Sequence, residues 1–285
     1  MLDVFRKGAQ RLSLLRAAFS ATRDFPVMWG DVFKDIVKSP CTKIGPGFIE
    51  KINKDGEYLC VKIRSVPAEL FWPKSLPVVD LYKVVTECFY EADSHFYEVP
   101  ETRVSRNDVV LDCGAAEGIF SLSVLERAKQ VIAFEPLPLF VKSMQKTFAQ
   151  YSSKVSVQPY ALSDVEGESF LNGTSLYGTV VNNPAEDNIP IQTTTIDKWA
   201  NRTGLRVDFI KGDLESFEYK VLKGAVETIR RCKPKIALTV YHSGNNWREI
   251  LRLCLDLVPG YAYRLKGISY NHLYARPVML HLWPK

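Results

Sequence analysis

With 285 residues, 46% of them hydrophobic and 24% charged, the chain is long and apolar enough to bury a core of its own without cross-links. Its formal net charge of +5 is dispersed, which favours neutral or anionic partners only weakly and excludes an extended polyanion-binding face as the default. Six cysteines without Cys-x-x-Cys spacing read as core residues of a reducing, cytoplasmic compartment, and no run reaches the ~18 apolar residues of a membrane span.

From Met1 to Ala21, Leu2, Phe5, Leu12, Leu15 and Phe19 recur at near-helical spacing against Arg6, Lys7, Arg11 and Arg16, a basic amphipathic helix. Such a helix packs on its own domain or on a second copy of the chain, making a homo-oligomer; peripheral contact with an anionic membrane surface is the alternative use. The first thirty residues hold no uninterrupted apolar stretch with a cleavage site, so no signal peptide is expected. The Gly45-Pro46-Gly47 run reads as a turn, Tyr58 to Arg64 alternates as a strand, and Val78 to Tyr90 reads as a helix. Residues 1–100 therefore form an N-terminal α+β lid or platform, and residues 101–285 the cofactor-binding domain.

Val109 to Asp112 is an apolar strand that ends in an acid and turns at Gly114, Ala115 and Gly118 into a helix. A dinucleotide fingerprint would require glycines at 114, 116 and 119, but Ala116 and Ile119 stand at two of them. Asp112 is also a poor neighbour for a pyrophosphate, whereas S-adenosylmethionine carries a sulfonium and an ammonium and no phosphate. A second strand, Gln130 to Phe134, closes on Glu135, at the interval where nucleoside-binding folds place a carboxylate on the ribose hydroxyls. The third strand, Val155 to Val157, leads to Ala161 and Asp164. Asp164 either bonds the adenine amine or is a plain turn residue before Gly167.

Ser169 to Val181, turning at Asn172-Gly173, reads as an inserted hairpin, and Asp197 is suited to cap the helical turn that follows it. A fourth strand, Val207 to Gly212, delivers Asp213, Glu215 and Glu218 ahead of a helix from Tyr219 to Arg230. A fifth, Ile236 to Val240, delivers Tyr241 and His242. Trp247 to Val258 is a further helix, and Tyr261 to Leu265 pairs with Val278 to Trp283 as a terminal antiparallel hairpin.

Leu111-Asp112-Cys113-Gly114, Phe134-Glu135-Pro136, Ala161-Leu162-Ser163-Asp164, Thr195-Ile196-Asp197 and the block from Asp208 to Ala225 together resemble the FkbM-type methyltransferase family over roughly residues 55–285. The resemblance implies an α/β fold: a Rossmann-like class I methyltransferase sheet, mostly parallel, with the terminal antiparallel hairpin and an N-terminal α+β extension. It also implies S-adenosylmethionine as cofactor and a hydroxyl on a sugar, glycan or other hydroxylated metabolite as acceptor. The family's Lys-Ile-Asp-Val-Glu-Gly pattern is broken here by Gly212 and Ser216, and some members carry an acid where Thr239 stands.

On this reading Asp112, Gly114, Ala115, Gly118, Glu135, Ala161 and Asp164 bind the cofactor. His242 is the candidate general base, with Asp213 and Glu215 orienting or replacing it. The same three residues suit a divalent ion, but without a metal-ligand spacing no metal is assigned. Two other functions stay open: a catalytically decayed SAM-binding scaffold, supported by Gly212 and Ser216, and an RNA methyltransferase using residues 1–23 as a basic arm. Against the second stands the lack of an Asn-Pro-Pro-Tyr type motif and of a basic stripe interleaved with aromatics, so no nucleic-acid partner is expected.

Overall fold

A computed structural model of the chain describes residues 11–20, 23–172, 179–181, 188–242, 246–269 and 275–285, the side chains of 179–181 excepted. The basic arm upstream of residue 11 and Gly173 of the inserted hairpin lie outside these residues. The described part of the first amphipathic segment is helical over 11–18 (α1), with Leu14 and Ala18 buried in the chain's own core. Helices α2 (Trp29–Val37) and α3 (Cys41–Phe48) follow. Gly45-Pro46-Gly47 is thus the end of a helix rather than the expected turn. Pro46 forgoes one helical hydrogen bond near the last turn, and Gly45 lies directly against the backbone of Tyr82, where a side chain has no room.

Strands β1 (Ile49–Asp55), β2 (Tyr58–Ile63) and β3 (Glu69–Pro73) form an antiparallel three-stranded sheet, of which the alternating pattern had revealed only the middle strand. After α4 (Val78–Phe89) the chain enters β4 (Val109–Cys113), α5 (Ile119–Val124), β5 (Gln130–Phe134), α6 (Pro138–Thr147) and β6 (Val155–Gln158). The edge strand β3 is joined to α6 by bonds from Phe71 N to Thr147 Oγ1, at 3.0 Å, and from Ser143 Oγ to Phe71 O. One apolar cluster runs from Val61, Trp72 and Leu81 through Val110 and Leu122, so the N-terminal segment shares its core with the central sheet.

Strands β7 (Ala161–Leu162), β8 (Gly167–Asn172), β9 (Thr179–Val181) and β10 (Ile189–Thr194) form a separate small sheet in the order β7-β10-β8-β9, with β8 and β9 antiparallel as the inserted hairpin requires. In α7 (Ile196–Thr203) the capping oxygen belongs to Thr195, which accepts from Lys198 N. Asp197 serves another helix instead, accepting from Glu227 N and Thr228 N.

Beyond β11 (Phe209–Gly212), the single helix expected over 219–230 is two, α8 (Glu218–Lys223) and α9 (Val226–Cys232). They separate at Gly224, where a Cβ would collide with the Ser163 carbonyl, so close packing against the β7 end overrides the helical periodicity. Strand β12 (Lys235–Thr239), α10 (Trp247–Leu257), β13 (Tyr261–Ser269) and β14 (Arg276–Pro284) complete the chain.

The central sheet runs β13-β14-β12-β11-β4-β5-β6; its five inner-chain strands are parallel and the final hairpin is antiparallel. β4, β11 and β12 are buried almost throughout, which is why they read as mainly apolar runs, interrupted by Asp112 in β4 and Lys211 in β11. All six cysteines are free thiols, and among the described residues no helix is long and apolar enough to cross a membrane.

Candidate active site

The chain winds outward from β4 in one direction through β5 and β6 and in the other through β11 and β12. Ligands of open α/β sheets bind at such a reversal, beyond the carboxyl ends of the strands, and a cavity opens there. The turn after β4 forms one wall. Gly114 has φ 72° and presses on the end of β11 so closely that a Cβ would strike the Asp213 carbonyl; only glycine serves there. Gly114 N and Ala115 N both donate to Phe134 O, tying the turn to β5. Gly118 is set back from the cavity, packed on Met144 and Phe148.

Two carboxyl groups occupy this wall. Glu135 accepts from Ala116 N at 3.0 Å and Leu137 N at 2.8 Å, and burial pushes its pKa up to about 7. Glu117, unread in the sequence, is buried with Oε2 lacking a hydrogen-bond partner among the described residues, and burial pushes its pKa up to about 8.

Asp112 stands elsewhere than a direct sulfonium contact requires. It is fully buried behind the cavity, 3.0 Å from Lys211 Nζ, and accepts from Ser121 Oγ at 2.7 Å. Lys211 itself lines the cavity, donates to Gly114 O at 2.7 Å and lies over the Tyr97 ring. Burial works against its charged form, but Asp112 and Asp213 outweigh it and hold its pKa above the ordinary value. The pairing follows from register, because β11 sets Lys211 opposite Asp112. Ala161 reaches the cavity with Tyr160 and Leu162, whereas Asp164 is turned outward, 3.5 Å from Lys223 Nζ.

The ends of β11 and β12 bring together Asp213, Glu215 and His242, as their neighbouring positions in the sheet demand. Asp213 and Glu215 line the cavity and His242 stands behind them. His242 Nδ1 is 3.2 Å from Oε1 of the fully buried Glu218, while Nε2 faces Glu215 Oε2 at 3.5 Å and Asp213 Oδ1 at 3.8 Å. Burial disfavours the imidazolium, yet the Glu218 hydrogen bond and the charges of Asp213, Glu218 and Glu215 push the His242 pKa up to about 9. The Thr239 hydroxyl bridges Asp213 Oδ1 and Glu218 Oε1, at 3.0 and 2.9 Å.

Burial would raise the Asp213 pKa, but His95, Lys211 and His242 around it, with the Tyr97 hydroxyl at 2.6 Å, hold it below the ordinary carboxylate range. Glu215 is shifted upward by burial. Glu215 and Ser216 are consecutive left-handed residues, φ 48° and 86°, a conformation that favours glycine and stores roughly 1–3 kcal/mol at each. The N-terminal segment supplies the rest of this wall through Lys83, Glu87, His95 and Tyr97. None carries a sequence motif; only the fold reveals them.

The sequence profile of the methyltransferase FkbM domain matches residues 112–265. Among solved structures, the chain is similar to a methyltransferase FkbM from Methylobacillus flagellatus KT, with 20% identity and a TM-score of 0.51 over 72% of this chain and 54% of that one. The chain thus spans about half the length of that relative. An rRNA methylase from Streptococcus thermophilus aligns with 10% identity and a TM-score of 0.42, covering 64% of this chain and 89% of that one. SMU.1697c from Streptococcus mutans, described as a putative methyltransferase in complex with SAH, aligns with 12% identity and a TM-score of 0.39, over 64% and 91% of the respective chains. No curated protein matches the sequence.

Proposed function

Because the chain belongs to the methyltransferase FkbM domain family, with the class I methyltransferase sheet, we propose that it uses S-adenosylmethionine to methylate a hydroxyl on a sugar, glycan or other hydroxylated metabolite. The observation that carries the cofactor half is the buried pair Glu117 and Glu135 on the cavity wall, one with an unpartnered oxygen. A ligand that brings an ammonium and ribose hydroxyls satisfies both, and a pyrophosphate satisfies neither. S-adenosylmethionine supplies an electrophilic methyl group when bound. Glu135 would hold the ribose hydroxyls, Glu117 the ammonium, and Tyr160 with Leu162 the adenine face.

The acceptor half rests on the opposite wall. Asp213, kept ionised, accepts a hydrogen bond and orients the incoming hydroxyl, while the more basic Glu215 takes its proton. His242 is reassigned on the same grounds: an imidazole with its pKa pushed to about 9 is charged at neutral pH and serves as a counter-ion rather than a free base. Glu87, Asp213 and Glu215 share this side with Lys83 and Lys211, a mixed lining without the run of basic residues that a polyphosphate acceptor calls for, which supports a neutral hydroxylated acceptor.

Calorimetry with S-adenosylhomocysteine and with NAD tests the cofactor, with micromolar binding expected of the first and none of the second; the opposite outcome would falsify this reading. Labelled S-adenosylmethionine offered to a panel of hydroxylated glycans and natural products tests the acceptor. Firm cofactor binding with no turnover on any acceptor, RNA included, supports the decayed scaffold.

A further inference from the structure

We propose that Asp213, Glu215 and His242 form a seat for one manganese-class divalent cation, on the acceptor wall of the site described above. One oxygen from each acid and one imidazole nitrogen lie within 4.8 Å of one another. The geometry at the histidine fits a cation, which on binding would displace the Nε2 proton that His242 carries in the metal-free site. Its Nδ1 is committed to Glu218, which fixes the ring and turns Nε2 toward the two acids. Nε2 is buried and has no hydrogen-bond partner among the described residues, although two carboxylate oxygens face it.

Those oxygens stand at 3.5 and 3.8 Å, farther than the ~2.7–2.9 Å of a charge-assisted hydrogen bond. Ligands around a cation with bonds of ~2.1 Å are separated by about 3–4.2 Å, a range that holds both distances from Nε2. A buried carboxylate on the far nitrogen of a ligating histidine is the usual outer support of a metal site, and Glu218 occupies that place. One imidazole and two carboxylates overlap in preference at Mn(II) and Fe(II). Three protein donors fill half an octahedral shell. Because Asp213 and Glu215 line the cavity, the remaining positions open toward the acceptor. An acceptor hydroxyl bound to such an ion would lose its proton to solvent water at lower pH, so the reaction would not depend on a carboxylate base.

The test uses the full chain and Mn(II) alone, followed by electron paramagnetic resonance of the free ion. One equivalent is expected to bind, and Glu215→Gln and His242→Ala each to weaken it by about tenfold or more; Glu218→Gln, which alters the support of the histidine and the bonds from Thr239 and Leu214 N, should weaken it by roughly 10–100-fold. Glu215 is partly exposed, so its variant keeps the experiment decisive if His242→Ala fails to fold. Failure of the folded protein to bind Mn(II), affinity unchanged in Glu215→Gln, or a nitrogen resonance showing both His242 nitrogens protonated in the presence of Mn(II) overturns the proposal. S-adenosylhomocysteine binding measured without metal separates the two readings. Its persistence while Mn(II) fails removes the cation alone, and its absence while Mn(II) binds removes the methyltransferase assignment alone.

Discussion

Replacing Lys211 by Met should be among the most damaging single changes in the core, because it takes from the buried Asp112 the charge it is paired with. The two groups are 3.0 Å apart and both are buried, Asp112 completely. At an effective dielectric of about 20, unit charges at that separation attract by about 5.5 kcal/mol, and removing one partner of a buried pair costs about 3–5 kcal/mol. Ser121 continues to donate to Asp112 and keeps the loss within that range. For a chain of this size the unfolding entropy is about 0.6 kcal/mol/K, so the melting temperature should fall by about 5–8 °C. Urea denaturation of Lys211→Met, Asp112→Asn and the double variant measures the effect. The double variant should recover at least about half of the single-variant loss, since no unpaired charge remains. A Lys211→Met cost below about 1 kcal/mol, or a double variant as unstable as the sum of the singles, would refute the view that charge compensation holds these strands together.

Glu117 and Glu135 have pKa values raised above the unfolded carboxyl range, to about 8 and about 7, so their neutral forms favour the ligand-free fold. The associated stability is full below about pH 4.5 and is lost as pH rises toward 8; melting curves against pH should show this, and Glu117→Gln should flatten it. Binding of S-adenosylhomocysteine near pH 7 should release protons, seen as a dependence of calorimetric heat on buffer ionisation enthalpy; identical heats in all buffers contradict it. Gly114→Ala should abolish cofactor binding and cost more than about 1 kcal/mol, because φ is 72° and the methyl group strikes the Asp213 carbonyl; unchanged binding by calorimetry counts against the turn geometry. Deleting residues 1–21 should lower the melting temperature, since Leu14 and Ala18 are buried, and flotation on anionic vesicles should stay near zero in both forms. Salt-sensitive flotation lost on deletion would instead assign a membrane role to the exposed ridge of Phe19, Trp29 and Phe33.

The parallel strands were legible because burial on both faces demands apolar runs, and their terminal acids because polar residues at the ends of such runs stand out. The meeting of Asp213, Glu215 and His242 followed from placing β11 beside β12. What escaped depends on partners distant in sequence. Lys211 looks like an interruption of an apolar strand until register sets it against Asp112, and Glu117 looks like a helix-start acid until the cavity is seen. Gly224 resembles a tolerated residue within a helix until the Ser163 carbonyl is found against it. Asp197 sits at a plausible cap position, yet the donors it satisfies belong to α9. The N-terminal sheet stayed half-read because β1 is largely exposed and lacks an apolar face.

The segment shared with the family begins at residue 112, whereas Lys83, Glu87, His95 and Tyr97, which line the cavity on the side we propose for the acceptor, all lie upstream of it. On the proposed reading the cofactor wall lies wholly within the shared segment, whereas the acceptor wall is divided between that segment, which holds Asp213 and Glu215, and the stretch upstream of it. Two relatives alike from 112 onward and divergent in 78–97 would use the same methyl donor on different molecules. Exchanging that upstream stretch between relatives, with the sheet left intact, is accordingly the economical route to a changed acceptor. A fragment trimmed to the shared segment would lose Lys83, Glu87, His95 and Tyr97 from the cavity wall and, with Val61, Trp72 and Leu81, part of the core it shares with the N-terminal segment.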